Sequence, residues 1–353
     1  MLYLVGVGLS SIEDITLKGL RVVKACDHVY IDAYTSILSH GIEEIEKLIG
    51  RCVNKADREC VEQTNVLIDY AKQSDVAFLV VGDPLAATTH LDLLTRCLES
   101  NVPVKVIHNA SILNAAGCCG LQLYEFGETV SIPFWNELGR PESFFDKIEH
   151  NYMRGLHTLC LLDIQEKSIE NILRRRDVFE PPRYMVCQQA AEQLLQTASR
   201  RSEASKVPRV ETAMHAIVTP PPILTPECLV IGLARVGSDN CVITLSTLYE
   251  MARPNDAVPT PISQLLNGPL HSLIIPGRLQ PLEIEWLMAR ERYSGNHKGD
   301  DLPHILISFE GEPATPFDAF CSEEIKRRRK MIIDSMFSYH CKHAIKSVVR
   351  GSD

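Results

Sequence analysis

A polar turn after an apolar segment near residue 80 carries residue types suited to binding a ligand. The apolar run 76–81 predicts a strand buried on both faces. Pro84 ends it, because proline has no amide hydrogen for a strand ladder. Asp83 supplies a carboxylate that accepts hydrogen bonds, and the small side chain of Ala86 leaves room for a bulky ligand. Open α/β sheets bind ligands at the carboxyl ends of their strands, so we predict a site here. An ordinary strand-to-helix loop is the alternative.

A second polar turn follows the apolar segment 102–107. Asn109 or Ser111 is a candidate helix N-cap, since a short polar side chain there accepts a backbone hydrogen bond. Backbone N–H groups at the start of the helix can bind a ligand carboxylate. In a parallel sheet, this turn and the turn at Asp83 open on the same edge. The alternative is a capped helix without a ligand.

A third candidate is His271, which begins an apolar segment that predicts a buried strand. Imidazole binds ligands and exchanges protons near neutral pH. A structural histidine, with both ring nitrogens satisfied inside the protein, is the alternative.

The N-terminal segment partly resembles a dinucleotide-binding fingerprint, with Gly6 and Gly8 after a strand and Asp32 placed to bind a ribose hydroxyl. Ser11 stands where the third glycine would allow the helix to pack closely on the strand. The acidic pair Glu13–Asp14 lies where the pyrophosphate would bind, and anionic side chains compete with an anionic ligand. The sequence therefore disfavours NAD(P) and favours an uncharged or cationic ligand against this turn.

The order of predicted elements indicates an α/β fold with two α/β domains. Strand and helix patterns alternate over the first hundred residues, including a helix over 61–73, which predicts a parallel sheet flanked by helices. We place the first domain at 1–108 and the second at 109–290. Within the second, the polar and proline-rich stretch 199–225 predicts an exposed loop. Residues 291–353 form a divergent tail.

Composition limits the functional classes of this 353-residue chain, 45% of which is apolar. Its net charge of −9 argues against direct nucleic-acid binding. No apolar run is long enough for a membrane span, and no secretory leader precedes the first strand. The twelve cysteines, at irregular spacing and without a C-x-x-C pair, predict reduced and mostly buried thiols. A cytoplasmic protein is expected.

The tail differs in charge from the rest of the chain. Residues 321–353 carry a net charge of +4, which leaves −13 for the remainder. The basic run 326–330 lies within a possible helix over 323–337, where a solvated helix face is favoured over a localisation signal or a patch for an acidic partner. The cluster His340, Cys341 and His343 matches no standard zinc spacing, so we predict no metal site.

Ten segments, in order along residues 1–290, resemble the diphthine synthases, which belong to the tetrapyrrole-methylase-like (class III) S-adenosylmethionine methyltransferases. These segments are MLYLVGVGL, EDITLKGL, DAYTSIL, VVGDPLAATTH, VIHNASILNAAG, GLQLYEFGETVSIPF, HTLCLLDI, EPPRYM, GLARVGS and GPLHSLIIPG. Each is moderately specific alone, and the ordered set is highly specific. CCGLQLYEFGETVSIPFW and PESFFDKI resemble the eukaryotic branch most closely.

The resemblance implies two α/β domains with S-adenosylmethionine in the cleft between them, S-adenosylhomocysteine as product, and a homodimer. Carried over by motif, the cofactor contacts fall on Leu9, Asp83, Ala86, Ser111, Ile112, Leu162, Val236 and His271. Asp83, Ser111 and Ile112 agree with the interpretation of the two turns above. Leu162, Val236 and His271 rest mostly on the resemblance.

The resemblance also implies a protein substrate, translation elongation factor 2, whose histidine already carries an aminocarboxypropyl group. Eukaryotic members methylate the amine three times and the carboxylate once. Because a sulfonium methyl group is already activated, alignment and desolvation suffice, and we assign no catalytic acid or base. The alternatives are a class III methyltransferase acting on a tetrapyrrole, an NAD(P) oxidoreductase, and an elongation-factor-binding module without activity.

Overall fold

The computed structural model describes residues 1–33, 41–136, 139–165, 182–206, 223–253, 266–294 and 304–307. The described chain divides into two compact units. Unit 1 comprises the described residues of Met1–Ala116 together with Val236–Ser238, and unit 2 comprises the other described residues.

Unit 1 contains a five-stranded sheet in the order β3-β2-β4-β1-β5, in which every neighbouring pair is parallel. Its strands are β1 (Leu2–Gly6), β2 (His28–Asp32), β3 (Asn54–Ala56), β4 (Val76–Val80) and β5 (Val104–Ile107). All five residues of β4 are buried, which confirms the strand predicted to be covered on both faces. Two groups of apolar side chains, one on each side of the sheet, form its core.

The helices of unit 1 are α1 (Leu17–Ala25), α2 (Ile42–Ile49), α3 (Arg58–Glu62), α4 (Val66–Gln73), α5 (Leu91–Glu99) and α6 (Ile112–Ala115), with a 3₁₀ turn at Ile12–Asp14. The single helix predicted over 61–73 is wrong, because Thr64 and Asn65 separate α3 from α4. The Thr64 hydroxyl donates to the Cys60 carbonyl, and Arg96 donates to the Thr64 carbonyl. Short polar side chains such as that of threonine hydrogen-bond to nearby backbone groups, and they therefore favour helix ends over helix interiors.

Unit 2 contains a mixed six-stranded sheet in the order β13-β11-β10-β12-β7-β6 among the described strands. These are β6 (Val130–Ile132), β7 (Thr158–Leu162), β10 (Leu229–Ala234), β11 (Val242–Thr247), β12 (His271–Ile275) and β13 (His304–Ile307). The strands β8 (Ile164–Gln165) and β9 (Arg183–Tyr184) form a short antiparallel pair. β13 pairs in parallel with β11, so a strand from beyond residue 290 joins this sheet.

The helices of unit 2 are α7 (Ser143–Met153), α8 (Cys187–Lys206), α9 (Leu248–Met251) and α10 (Pro281–Ser294). The loop predicted over 199–225 is wrong at its start, because α8 continues to Lys206. Arg201 stacks on the Phe145 ring at 4.7 Å and pairs with Asp146, both in α7. This packing holds the polar end of α8 against a neighbouring helix despite its lack of apolar residues.

Several sequence predictions fall outside the described residues. They are the rest of the loop, over 207–222, the possible helix 323–337 with its basic run 326–330, and the cluster His340, Cys341 and His343. Ten cysteines lie in the described ranges, none of them in a disulfide, and six are buried. The prediction that the thiols are mostly buried is confirmed for these ten residues. Within those ranges, no helix combines the length and apolar character needed to cross a membrane.

The strand ends of unit 1 approach one another at Gly6. A Cβ atom built on Gly6 would lie 2.6 Å from the Gly82 carbonyl oxygen and 2.8 Å from the Asn109 Cβ atom. Beyond it, the Gly82 amide donates to the Gly8 carbonyl at 2.7 Å. Only glycine at position 6 therefore lets the turns after β1, β4 and β5 lie side by side.

The buried carboxylate of Glu283, in α10, links three segments of unit 2. Its Oε1 accepts hydrogen bonds from the Gln122 amide at 2.8 Å and from His157 Nε2 at 3.1 Å, and its Oε2 accepts from the Gln280 amide at 2.7 Å. The Gly277 amide donates to His157 Nδ1, so the single proton of a neutral imidazole lies on Nε2. Burial raises the pKa of Glu283, but these hydrogen bonds lower it more, and the pKa lies below its usual value.

We expect Gly6→Ala to lower the free energy of unfolding by about 2 kcal/mol, because the added methyl group collides with backbone and forces the strand ends apart. Gly139→Ala is the matched control, since nothing lies within 4 Å of a Cβ atom there. Urea unfolding of both variants measures the difference. Equal stability of the two would contradict the close approach at Gly6.

Glu283→Gln should lower the free energy of unfolding at pH 7 by about 2 kcal/mol, since an amide nitrogen would face backbone N–H donors. The pKa of Glu283 is depressed in the folded state. Its stabilisation is therefore present above about pH 4.3, the pKa of an unfolded glutamate, and is lost as the pH falls through the folded value. The difference from the wild type should accordingly shrink in acid. Glu285→Gln, at an exposed position of the same helix, is the control; a pH-independent difference would refute the assignment.

Candidate functional site

Three neighbouring strands of unit 1 end in the turns that carry the predicted site residues. β1 lies between β4 and β5 and is parallel to both. Leu9 follows β1, Asp83 and Ala86 follow β4, and Ser111 and Ile112 follow β5. The prediction that the two polar turns open on one edge of a parallel sheet is confirmed, and the turn after β1 lies between them.

Asp83 joins the turn after β4 to the turn after β5. It is buried, and its Oδ2 accepts hydrogen bonds from the Asn109 amide at 3.0 Å and from His108 Nδ1 at 2.9 Å. Its Oδ1 accepts from the Leu85 amide at 2.9 Å. Burial raises the pKa of Asp83, but the bonds from Leu85, Asn109 and His108 outweigh burial and hold the pKa below its usual value. The carboxylate is therefore ionised at pH 7.

The turn after β1 is closed by an acidic side chain of its own. Asp14 Oδ2 accepts from the Ser10 amide at 3.0 Å and from the Ser11 amide at 3.1 Å. These are the backbone donors that a pyrophosphate would need at this position. Asp32, which imitates the ribose-binding acid of a dinucleotide fold, is only 2% exposed and lies 3.3 Å from His90 Nε2. The turn therefore does not fit a dinucleotide.

Asn109 fixes the relative positions of the three turns. Its Nδ2 donates to the Gly6 carbonyl at 2.9 Å and to the Asp14 carbonyl at 3.0 Å. Ser111, not Asn109, is the N-cap of α6, and the Ser111 amide donates to Asn114 Oδ1 at 2.7 Å. No described residue accepts a hydrogen bond from the amide of Ile112. That amide remains able to donate to a ligand.

Leu9 and Val236 belong to the same unit. Val236–Ser238 is grouped with unit 1, and a Cβ atom built on Gly237 would lie 2.7 Å from the Leu9 Cβ atom. Gly237 has a φ of +93°, which favours glycine. The segment after β10 thus contacts the half-buried side chain of Leu9, and an apolar surface borders the polar turns.

The two other predicted site residues lie in unit 2. Leu162 ends β7 and His271 begins β12, and the antiparallel register that pairs Leu161 with Ser272 continues to bring them side by side. On its other side, His271 pairs with Ala234 at the end of β10. The last residues of β7 and β10 and the first residue of β12 therefore lie side by side, at one end of the strands of this sheet.

Both ring nitrogens of His271 are engaged within unit 2. Nδ1 accepts from the Cys187 amide at 3.2 Å, and Nε2 donates to the Gly268 carbonyl at 2.8 Å. Burial lowers the pKa of His271, more than the hydrogen bonds to the Gly268 and Leu266 carbonyls raise it. The neutral ring has the hydrogen bonding of a structural histidine, the alternative noted from the sequence. A ligand would therefore meet its backbone or ring carbon atoms.

The sequence did not reveal which side chains hold the site turns in place without themselves being predicted to contact a ligand. His108 and Asp14 are bonded to site turns by their side chains, and His90 contacts the turn after β4 from inside the unit. Each lies within a few residues of a turn already identified. A polar side chain next to such a turn was the available signal, but sequence alone does not give its partner.

Comparison with known proteins identifies the family. The model of the Tetrapyrrole (Corrin/Porphyrin) Methylases matches residues 1–198. The diphthine methyl ester synthase of Mus musculus is 51% identical over 292 residues, which cover 81% of this chain and 95% of the mouse protein. That of Schizosaccharomyces pombe is 46% identical over 293 residues, covering 82% of this chain and 94% of the yeast protein.

Solved structures agree. A crystal structure described as a diphthine synthase from Entamoeba histolytica matches with a TM-score of 0.65 and 36% identity, covering 82% of this chain and 97% of that one. A second crystal structure of diphthine synthase matches with a TM-score of 0.62 and 27% identity, covering 82% of this chain and 94% of that one. The predicted α/β fold class and the resemblance read from the motifs are both confirmed. The chain belongs to the tetrapyrrole methylase family and, within it, to the diphthine methyl ester synthases.

Proposed function

We propose that this chain methylates the aminocarboxypropyl-modified histidine of translation elongation factor 2 to give diphthine methyl ester, with three methyl groups on the amine and one on the carboxylate. The observation that carries the proposal is the identity of about half of the residues, over most of both chains, to relatives named diphthine methyl ester synthase. Family membership makes the chain a methyltransferase. The same names favour this substrate over a tetrapyrrole.

The donor set of unit 1 fits S-adenosylmethionine. Asp83 is ionised, and its Oδ1 accepts one hydrogen bond among the described residues, so a second lone pair can accept from a ligand hydroxyl or amine. The Ile112 amide can donate to a carboxylate. Leu9 provides apolar surface, while Asp14 already occupies the backbone donors that a phosphate would need. A cofactor with a positive sulfonium and no phosphate suits this arrangement.

We further propose that all eight residues predicted from the resemblance take part. Six lie in unit 1: Leu9, Asp83, Ala86, Ser111, Ile112 and Val236. Leu162 and His271 lie in unit 2, at the adjacent ends of β7 and β12. Homodimer formation and a cytoplasmic location, where elongation factors act, belong to the same proposal.

Methyl transfer from a sulfonium requires little acid–base catalysis by the protein. S-adenosylmethionine supplies a methyl group activated by the positive sulfur. The task of the chain is to bring the two reactants together, align them and exclude water. Asp83 and the turns that it joins would fix the cofactor. No residue is assigned as a general base, because the amine can lose its proton before the methyl transfer.

The decisive assay incubates the purified chain with labelled S-adenosylmethionine and elongation factor 2 from cells that lack diphthine synthase, and takes the intact mass of the modified peptide. We expect a gain of four methyl groups. A gain of three would show a reaction that stops at the trimethylated amine. No gain, with the cofactor bound and the aminocarboxypropyl group confirmed on the factor, would refute the proposed substrate.

Asp83→Asn should raise the dissociation constant for S-adenosylmethionine by roughly tenfold, the effect of losing one hydrogen bond to a charged group. Titration calorimetry measures the affinity. Asp92→Asn, which changes an exposed aspartate at the start of α5, is the matched control and should bind as the wild type does. An unchanged affinity in Asp83→Asn would remove Asp83 from the cofactor site.

A further inference from the structure

His90 is buried beneath the turn that carries Asp83. The residue precedes α5, and its ring is completely shielded from solvent. Nδ1 lies 3.0 Å from the Pro84 carbonyl oxygen, and Nε2 lies 3.3 Å from Asp32 Oδ2, at the end of β2. The ring of Phe78, in β4, lies nearly perpendicular to the His90 ring, with the ring centroids 5.2 Å apart. His90 thus connects the end of one strand to the turn after another.

The Pro84 carbonyl and the Asp32 carboxylate, each near one ring nitrogen of His90, are both acceptor groups. A peptide carbonyl accepts only, and so does an ionised carboxylate. Nδ1 can donate a hydrogen bond to the Pro84 carbonyl, and Asp32 lies at ion-pair distance from Nε2 on the other side of the ring. Since Asp32 is itself 2% exposed, the pair forms inside the unit.

A single planar peptide connects His90 to Asp83. The Pro84 carbonyl accepts from His90 and, at 2.7 Å, from the Thr88 hydroxyl. The N–H group of the same peptide belongs to Leu85 and donates to Asp83 Oδ1 at 2.9 Å. Because the peptide group is planar, fixing its carbonyl also fixes the direction of its N–H group. The two donors on the carbonyl therefore help to orient the Asp83 carboxylate through Oδ1, while Asn109 and His108 hold its Oδ2.

We propose that His90, held by Asp32, is a positioning residue that acts through the Pro84–Leu85 peptide on Asp83 and so on the affinity for S-adenosylmethionine. The inference rests on the proposed function only for the identity of the ligand. It assigns to Asp32 the part of a buried carboxylate that holds the His90 ring in place. It also assigns to the histidine at the end of the VVGDPLAATTH segment a part in the site that it does not itself line.

Two substitutions separate the contacts of His90. In His90→Asn the side-chain amide can replace Nδ1 and keep the bond to the Pro84 carbonyl while losing Asp32. In His90→Gln the longer amide can replace Nε2 and keep Asp32 while losing the carbonyl. We expect His90→Gln to bind S-adenosylmethionine about tenfold more weakly than the wild type in calorimetry, and His90→Asn to bind nearly as well as the wild type, although it is less stable. If His90 had only a structural role, the affinity for S-adenosylmethionine would fall in step with the stability of the two variants. That result would overturn the proposal.

The connection to Asp83 is tested by a double-mutant cycle in urea unfolding and in cofactor affinity. If His90 acts through Asp83, His90→Gln combined with Asp83→Asn should lose less than the sum of the two single effects. Additive losses would overturn the proposal. Thr88→Val removes the other donor to the Pro84 carbonyl and should also weaken binding of S-adenosylmethionine. This variant provides the test if His90→Gln does not fold. Wild-type affinity in Thr88→Val would contradict the role of that carbonyl.

The unfolding cycle needs no cofactor. A wild-type chain that does not bind S-adenosylmethionine would therefore refute the proposed function, while coupling or additivity in unfolding would still decide whether His90 positions Asp83.

Discussion

The ionised carboxylate of Asp83 is the interaction on which the arrangement of unit 1 depends. It accepts hydrogen bonds from the turn after β4 and from the turn after β5, two strands separated by β1. Without it, the backbone amides of two exposed turns would lack a common acceptor. A buried charge is costly unless hydrogen bonds compensate for its lost hydration, and three donors within the protein do so for Asp83.

In unit 1, hydrogen bonds within the protein already occupy some of the groups that could bind a ligand, and this limits which ligands fit. Asp14 bonds the amides of Ser10 and Ser11, so the turn after β1 offers no empty anion site despite its glycines. Asp32 is turned inward against His90. Both features of a dinucleotide fold are thus present in the sequence and used for other purposes. The result favours a neutral or cationic ligand, in agreement with a methyltransferase that uses a sulfonium cofactor.

Unit 2 shows a related use of histidine. His157 and His271 each accept a backbone hydrogen bond at Nδ1 and donate from Nε2, to Glu283 and to the Gly268 carbonyl respectively. Such rings join segments that are distant in sequence without placing a positive charge in the core. His90, in unit 1, differs because its Nδ1 lies against an acceptor, the Pro84 carbonyl, and not against a backbone N–H group.

Sequence alone determined the elements whose patterns are local. The buried strand β4 follows from its apolar run, and the parallel sheet of unit 1 follows from the alternation of strands and helices. The shared edge that holds Asp83 and Ser111 follows from that order. Ten ordered motifs were enough to identify the family.

Only the tertiary structure decided which polar side chains face one another. The break at Thr64 depends partly on Arg96 from another helix, and the extension of α8 to Lys206 depends on Phe145 and Asp146 in α7. The three donors to Asp83 and the internal bonds of His271 likewise come from residues that a local pattern cannot relate. Sequence periodicity reports which face of an element is apolar, whereas hydrogen-bond partners are set by how elements pack. The strand, helix or turn in which a residue lies could therefore be predicted, but the hydrogen-bond partner of its side chain could not.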